Sequence, residues 1–265
     1  MRIRVPEIAR APLRVLAGAD LLVLLAVLAA LAGSWAFVEL ADEVAERETR
    51  RFDVWIVRSL RTPADAAVPI GPRWLAEDVR DLSALGSRSV LLLVTASVVL
   101  YLWLVRTYHA MWLVLGSAVG GQLLGSALKV LFSRPRPDVV PHLSTASFSS
   151  FPSGHSMSAA AVYLTLGLLL ARLTDRPSLR AFYLGLAAFV TVLVGLTRLY
   201  LGVHYPTDVL AGWAAGSAWA TACWLLAGYL QRRGAIEPQA DDTTTASPPE
   251  SGSIDAGPGG RPPSP

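Results

Sequence analysis

Three short runs of this chain place charged and titratable side chains at spacings suited to handling a phosphoryl group. The first is Lys129-Val-Leu-Phe-Ser-Arg134-Pro135-Arg136-Pro137, the second Phe151-Pro152-Ser153-Gly154-His155-Ser156, and the third Thr197-Arg198 followed by His204-Tyr205-Pro206-Thr207-Asp208. Lys129, Arg136 and Arg198 bring positive charge and many N–H donors, and an arginine fork matches two oxygens of one phosphate. Lys129 is the only lysine among 23 basic side chains, which points to a need for an ammonium there. Ser153 stands where a helix N-cap belongs, and Gly154 lets the backbone approach closely, so free amides at that helix start face an anion. Pro206 suits the first turn of a helix, which sets Asp208 one turn after His204. A carboxylate in that register reaches back to the imidazole, fixes its tautomer and leaves the other ring nitrogen to attack. His155 is then available to protonate a leaving oxygen. Taken alone, His204 and Asp208 fit equally well a structural hydrogen-bonded pair or two ligands of a metal. The chain has no cysteine cluster, no His-Glu-x-x-His and no glycine-rich nucleotide loop, so the expectation is a site without metal or cofactor.

Residues so far apart act together only if a scaffold gathers them, and the composition identifies that scaffold. Of 265 residues, 53% are hydrophobic and 16% charged, with a mean hydropathy of +0.45. Soluble domains carry about 25% charged residues. The excess apolar content calls for a bilayer. Spanning one takes roughly 20 apolar residues in a helix, and six runs qualify: 21–40, 89–105, 109–131, 156–173, 182–196 (extending to about 199–201) and 209–230. The first is too long for the ~7–15-residue core of a signal peptide. An all-α bundle of six spanning helices, residues 1–233, is therefore expected. Six alternating helices put the loops joining the third to the fourth and the fifth to the sixth on one face, so the three runs converge. His109 falls at the opposite end of its helix, and His142 reads as an ordinary exposed histidine.

Gly116–Gly120, Gly121–Gly125 and Gly212–Gly216 are small-residue spacings that let helices approach closely. The long first loop carries Phe52, Trp55, Ile56 and Leu60 at helical spacing, with Asp53, Arg58 and Arg61 on other faces; it reads as an amphipathic helix anchored at the interface. Residues 234–265 are Pro, Gly, Ser, Thr and Asp with almost no large apolar side chain, the composition of a disordered tail. The net charge of +3 and pI near 9.3 fit basic cytoplasmic loops and anionic head groups, not nucleic acid. Arg2, Arg4, Arg10, Arg14, Arg106, Arg172, Arg176, Arg180, Arg232 and Arg233 share one side, which places both termini in the cytoplasm. Cys223 has no partner for an intrachain disulfide.

The three runs resemble those of the type 2 phosphatidic acid phosphatases, the superfamily that includes vanadium haloperoxidases and bacterial undecaprenyl-diphosphate phosphatases. Lys129, six residues, then Arg136-Pro137 matches its first motif. Pro152-Ser153-Gly154-His155 is its second. Arg198, five residues, His204, three residues, Asp208 is its third, with Thr197 where a serine is usual. The resemblance covers about residues 15–230. It implies metal-independent hydrolysis of a lipid phosphate or diphosphate through a phosphohistidine, in the plasma membrane, with the site on the extracytoplasmic side. His204 would be the nucleophile, Asp208 its orienter and His155 the general acid. Lys129, Arg136, Ser153, Gly154 and Arg198 would bind the phosphate. Undecaprenyl diphosphate is the favoured substrate, since the arginine and alanine bias fits a GC-rich bacterial genome. Phosphatidylglycerol phosphate and phosphatidic acid are the alternatives. A non-enzymatic lipid-binding or transport protein is the reading from another class, and it would be expected to lack one of His204, Asp208 or His155.

Overall fold

The computed structural model describes residues 10–144 and 149–232. The expected tail, and Arg2 and Arg4 of the basic N-terminal cluster, lie outside them. The described residues are helical almost throughout. α1 (Arg10–Ala45) leads into α2 (Arg50–Ser59), a two-stranded hairpin, α3 (Arg73–Ser83) and a single 3-10 turn, Ala84–Gly86. α4 (Arg88–Leu104) and α5 (Tyr108–Phe132) follow. α6 (Gly154–Ala159) continues through a π turn, Ala160–Leu164, into α7 (Thr165–Arg172), and α8 (Pro177–Tyr200) and α9 (Pro206–Arg232) are the last described elements.

Among the described residues, five helices are long and apolar enough to cross a membrane: Val23–Ala45, Tyr108–Phe132, Gly154–Arg172, Pro177–Tyr200 and Pro206–Gln231. The 25 residues of α5 span about 37 Å, enough for a hydrocarbon core of ~30 Å. The second expected span differs in form. α4 has 17 residues and joins α3 through a bend of 46°, so the sixth crossing is a broken pair, Arg73–Gly86 with Arg88–Leu104. Ser87 makes the break: its side chain accepts the Val90 N–H and caps α4. The hairpin, β1 (Arg61–Thr62) and β2 (Asp65–Pro69), is antiparallel and is the one departure from an all-α chain among the described residues.

Outward faces are apolar, as a bilayer requires. Leu24, Leu28, Leu31 and Trp35 of α1, Leu92 and Leu93 of α4, and Val130 and Leu131 of α5 are all exposed. On a water-soluble protein such a continuous apolar surface would be a liability. The interior is built from small residues that bring backbones together. A Cβ on Gly216 would lie 2.4 Å from the Met157 carbonyl oxygen, and one on Gly212 2.7 Å from the Ser153 carbonyl oxygen. The Gly212–Gly216 spacing therefore seats α6 against α9. Gly116 does not behave this way, since nothing lies within 4 Å of a Cβ placed there. It faces open space instead of a neighbouring helix.

Gly216→Ala is expected to lower the thermal unfolding midpoint in detergent, because overpacking against backbone costs about 1–3 kcal/mol. Gly116→Ala is expected to leave the midpoint unchanged or raise it. Equal behaviour of the two variants would contradict the packing described for α6 and α9.

Candidate functional site

The three runs meet. Lys129, Arg136, Gly154, His155, Arg198 and His204 line one cavity of about 910 Å³. Ser153 and Asp208 lie fully buried behind its wall. α5 delivers Lys129 in its last turn, α6 delivers His155 in its first, α8 delivers Arg198 in its last, and α9 begins just after His204. The convergence expected from helix alternation is thus present.

The start of α9 is closed by a side-chain cap from Asp208. Tyr205 occupies the N-cap position, Pro206 the first helical position, and the Asp208 carboxylate reaches back to accept the Tyr205 N–H at 2.8 Å. This fixes the carboxylate beside His204, with Nδ1 3.5 Å from Oδ2. That contact is long for a hydrogen bond, and Nδ1 is otherwise buried without a partner. Asp208 is therefore an electrostatic neighbour of the ring whose best hydrogen bonds go elsewhere. On the other side of the ring, Nε2 lies 3.2 Å from the Arg136 guanidinium, which also donates to the Val203 carbonyl at 2.7 Å. A guanidinium has only donors, so Nε2 holds its lone pair and the proton sits on Nδ1, toward Asp208. Burial pushes the His204 pKa down to about 4, against the raising pull of Asp208. The imidazole is neutral at physiological pH.

Asp208 is held by a residue pair that sequence reasoning did not assign. Arg134 Nη1 donates to Asp208 Oδ1 at 2.6 Å and to Thr207 Oγ1 at 2.9 Å, while Nη2 donates to Asp53 Oδ2 at 2.7 Å. Asp53 also accepts the Thr207 N–H at 3.1 Å and the Thr207 hydroxyl at 2.8 Å. The Arg134 guanidinium lies 4.6 Å above the Tyr205 ring centroid. Asp53 is on α2 in the first loop, on a face that the sequence sets apart from the apolar one; it is fully buried, as is Val57 one turn on. The helix expected there exists, and Phe52 and Trp55 do face outward. Its inward stripe is Asp53 and Val57, continued by buried Arg61. That i, i+4, i+8 spacing was the available signal.

Other ties position the cations. Arg198 donates to the Ser83 hydroxyl at 2.7 Å, and its buried Nε has no partner among the described residues. Such a donor is costly unless an anion arrives. Arg61 Nη1 donates to the Tyr200 carbonyl at 2.9 Å, capping the end of α8. Gly202, at φ +71°, lets the following chain turn past Arg61 toward His204. The Ser153 N–H donates to the Asp208 carbonyl at 2.8 Å, joining the α6 start to α9. Gly154 admits the Lys129 ammonium, which would lie 2.9 Å from a Cβ there. His142 is exposed and donates to the Pro137 carbonyl at 2.6 Å, outside the cavity. His109 is in the first turn of α5, at the far end from Lys129.

With this geometry in hand, the likeness to known proteins is specific. The sequence profile of the PAP2 superfamily matches residues 110–232. The chain is 39% identical over 158 residues to phosphatidylglycerophosphatase B of Bacillus subtilis (strain 168), covering 57% of this chain and 74% of that protein. It is 36% identical over 110 residues to decaprenylphosphoryl-5-phosphoribose phosphatase of Mycobacterium tuberculosis, covering 40% of this chain and 55% of that protein. Its fold matches the crystal structure of the transmembrane PAP2 type phosphatidylglycerolphosphate phosphatase from Bacillus subtilis, with a TM-score of 0.66 and 30% identity, over 77% of this chain and 96% of that one.

Asp53→Ala is expected to cost about 3–5 kcal/mol of stability, the scale for breaking a buried ion pair by removing one partner. Arg58→Ala, on the exposed face of the same helix, should change it by less than about 0.5 kcal/mol. Thermal unfolding in detergent checks both, and an Asp53→Ala protein as stable as the parent would contradict the buried network.

Proposed function

The chain belongs to the PAP2 superfamily and is a phosphoric ester hydrolase, and from that premise we propose that it removes the terminal phosphate of a membrane lipid through a phosphohistidine on His204. The observation that carries this reading is a single cavity lined by Lys129, Arg136, Arg198, His155 and His204, with one ring nitrogen of His204 unprotonated and facing Arg136. Lys129, Arg136, Arg198 and the amides after Ser153 hold the phosphoryl oxygens and offset the charge of the transition state. His204 Nε2 attacks phosphorus, a P–N bond forms, and the bond to the leaving oxygen breaks. His155, carrying a proton, gives it to that oxygen. In the second half water attacks phosphorus, the P–N bond breaks, His155 takes the water proton, and inorganic phosphate leaves. Asp208 stays ionised and offsets the positive charge that the ring gains on phosphorylation.

Phosphatidylglycerophosphate leads the candidate substrates, because the relative named for it aligns over 74% of its own length. This reorders the expectation of undecaprenyl diphosphate, which rested on compositional bias. A polyprenyl diphosphate remains the second reading, since a relative 40% identical over 68 residues is named an undecaprenyl-diphosphatase. The basic residues on the opposite face support cytoplasmic termini and a site opening to the extracytoplasmic side.

Phosphate release by the detergent-purified protein, with EDTA present, tests the reaction on phosphatidylglycerophosphate, undecaprenyl diphosphate and phosphatidic acid. No release from any of them by a folded protein would favour a lipid-binding or transport role. His204→Ala is expected to lower kcat by more than about 1,000-fold, the scale for removing a nucleophile. The acid limb of kcat/KM, corrected for substrate ionisation, should fall near pH 4, where His204 protonates and ceases to attack. A limb at the ordinary histidine value of about 6.5 would contradict the buried neutral imidazole. Vanadate should inhibit competitively, by adopting the five-coordinate geometry of the transition state.

A further inference from the structure

The cavity is larger than one phosphoryl group needs, and one wall of it belongs to none of the three motifs. Arg88 opens α4 immediately after the capping residue Ser87 and lines the cavity, as does Gly86 just before it. A Cβ on Gly86 would lie 3.2 Å from His155 Cβ and 3.3 Å from His155 Cδ2, so this bend in the chain packs directly on the His155 ring. Arg88 makes no ion pair among the described residues. Along α5 the wall continues through Gln122 and Ser126 to Lys129, a rise of roughly 10 Å at 1.5 Å per residue. Ser158 on α6 donates to Gln122 Oε1 at 3.1 Å, which holds the Gln122 side chain on this wall.

The position of Arg88 has a chemical meaning within the reaction proposed above. In an in-line displacement the leaving oxygen departs on the side away from the attacking nitrogen. His155, the group placed to protonate that oxygen, is the ring on which Gly86 packs. Whatever is bonded to the leaving oxygen therefore lies on the Gly86–Arg88 side of the cavity, with Gln122, Ser126 and Ser158 along its path toward the bilayer. Lys129, Arg136 and Arg198 already supply the donors for the terminal phosphate, so the Arg88 guanidinium adds a further fork on the leaving side. It is suited to a second anionic oxygen cluster on the leaving portion of the substrate.

We propose that Arg88, supported by Gln122, Ser126 and Ser158, forms a second phosphate subsite, and that the substrate class is lipids with two phosphorus groups. In a diphosphate that second group is the inner phosphate, which leaves with its bridging oxygen protonated by His155 and keeps the negative charge of its own non-bridging oxygen. In a phosphatidylglycerophosphate it is the phosphodiester one glycerol further on. Phosphatidic acid and prenyl monophosphates present only the terminal group and leave Arg88 unengaged. This inference rests on the proposed phosphatase reaction and adds to it the basis of substrate choice.

The test is kcat/KM of the purified full chain on two matched pairs: phosphatidylglycerophosphate against phosphatidic acid with identical acyl chains, and farnesyl diphosphate against farnesyl phosphate. The native protein should favour the two-phosphorus member of each pair. In Arg88→Gln that preference ratio should fall about tenfold or more, the scale of one charge-assisted hydrogen bond. Arg88→Lys should retain an intermediate ratio, since charge survives and the fork does not. Activity on the one-phosphorus lipids reports independently that each variant is folded. A ratio unchanged in Arg88→Gln, whether both rates fall together or neither does, would overturn the second subsite and leave the phosphatase reading standing. Failure of the native protein to hydrolyse any of the four would overturn both.

Discussion

One half-buried arginine holds the site in register. Arg134 spans the carboxylates of Asp53 and Asp208, both fully buried, while stacking on Tyr205. Two carboxylates placed this close would repel, and burial alone would drive protons onto them. The guanidinium between them removes both penalties, because its fork gives each carboxylate a charge-assisted hydrogen bond. Thr207 completes the set with its N–H and hydroxyl on Asp53. A buried ion group of this kind does not by itself raise stability, since desolvation offsets much of the attraction. What it provides is position: α2, the segment after α5 and the start of α9 have one relative arrangement that leaves no charge unpaired.

His204 depends on that arrangement. Asp208 cannot turn toward solvent or swing fully onto the imidazole, because Arg134 takes one oxygen and the Tyr205 N–H the other. The ring is left with a carboxylate on one side and the Arg136 guanidinium on the other, a field that orients its proton without charging it. The remaining cations are tethered, Arg198 by the Ser83 hydroxyl and Arg136 by the Val203 carbonyl. A cluster of like charges fixed in this way before substrate arrives is what electrostatic preorganisation means. The membrane contributes by supplying rigid helix ends, so that reactive side chains sit on helix termini and short, tied loops.

Much of this was legible in the sequence because it follows periodicity and helix-end chemistry. Long apolar runs located the helices, and Ser153, Pro206 and Asp208 marked two helix starts whose side chains do line up as their types demand. The first loop was harder to read. Asp53 sits among many acids, and only the spacing of Asp53, Val57 and Arg61 distinguishes a buried stripe from a solvated one. Ser83 carries no signal at all, since its partner Arg198 is distant in the chain. The bend between α3 and α4 was hidden as well, because the apolar run begins only after Ser87 and the amphipathic α3 reads as loop. Gly116 shows the converse error: small-residue spacing recurs along α5, but only the glycines that face α6 and α9 use it.

The central claim is that phosphorus passes through His204. Rapid acid-free quenching of the protein with substrate labelled in its terminal phosphate, followed by peptide mass spectrometry, examines that step directly. The account predicts a burst of protein-bound phosphorus that is labile to acid, stable to alkali and located on His204, and absent when vanadate occupies the cavity. Turnover at full rate with no phosphorus on the protein, or with phosphorus on a different side chain, would contradict it and point to direct attack by water or to another nucleophile.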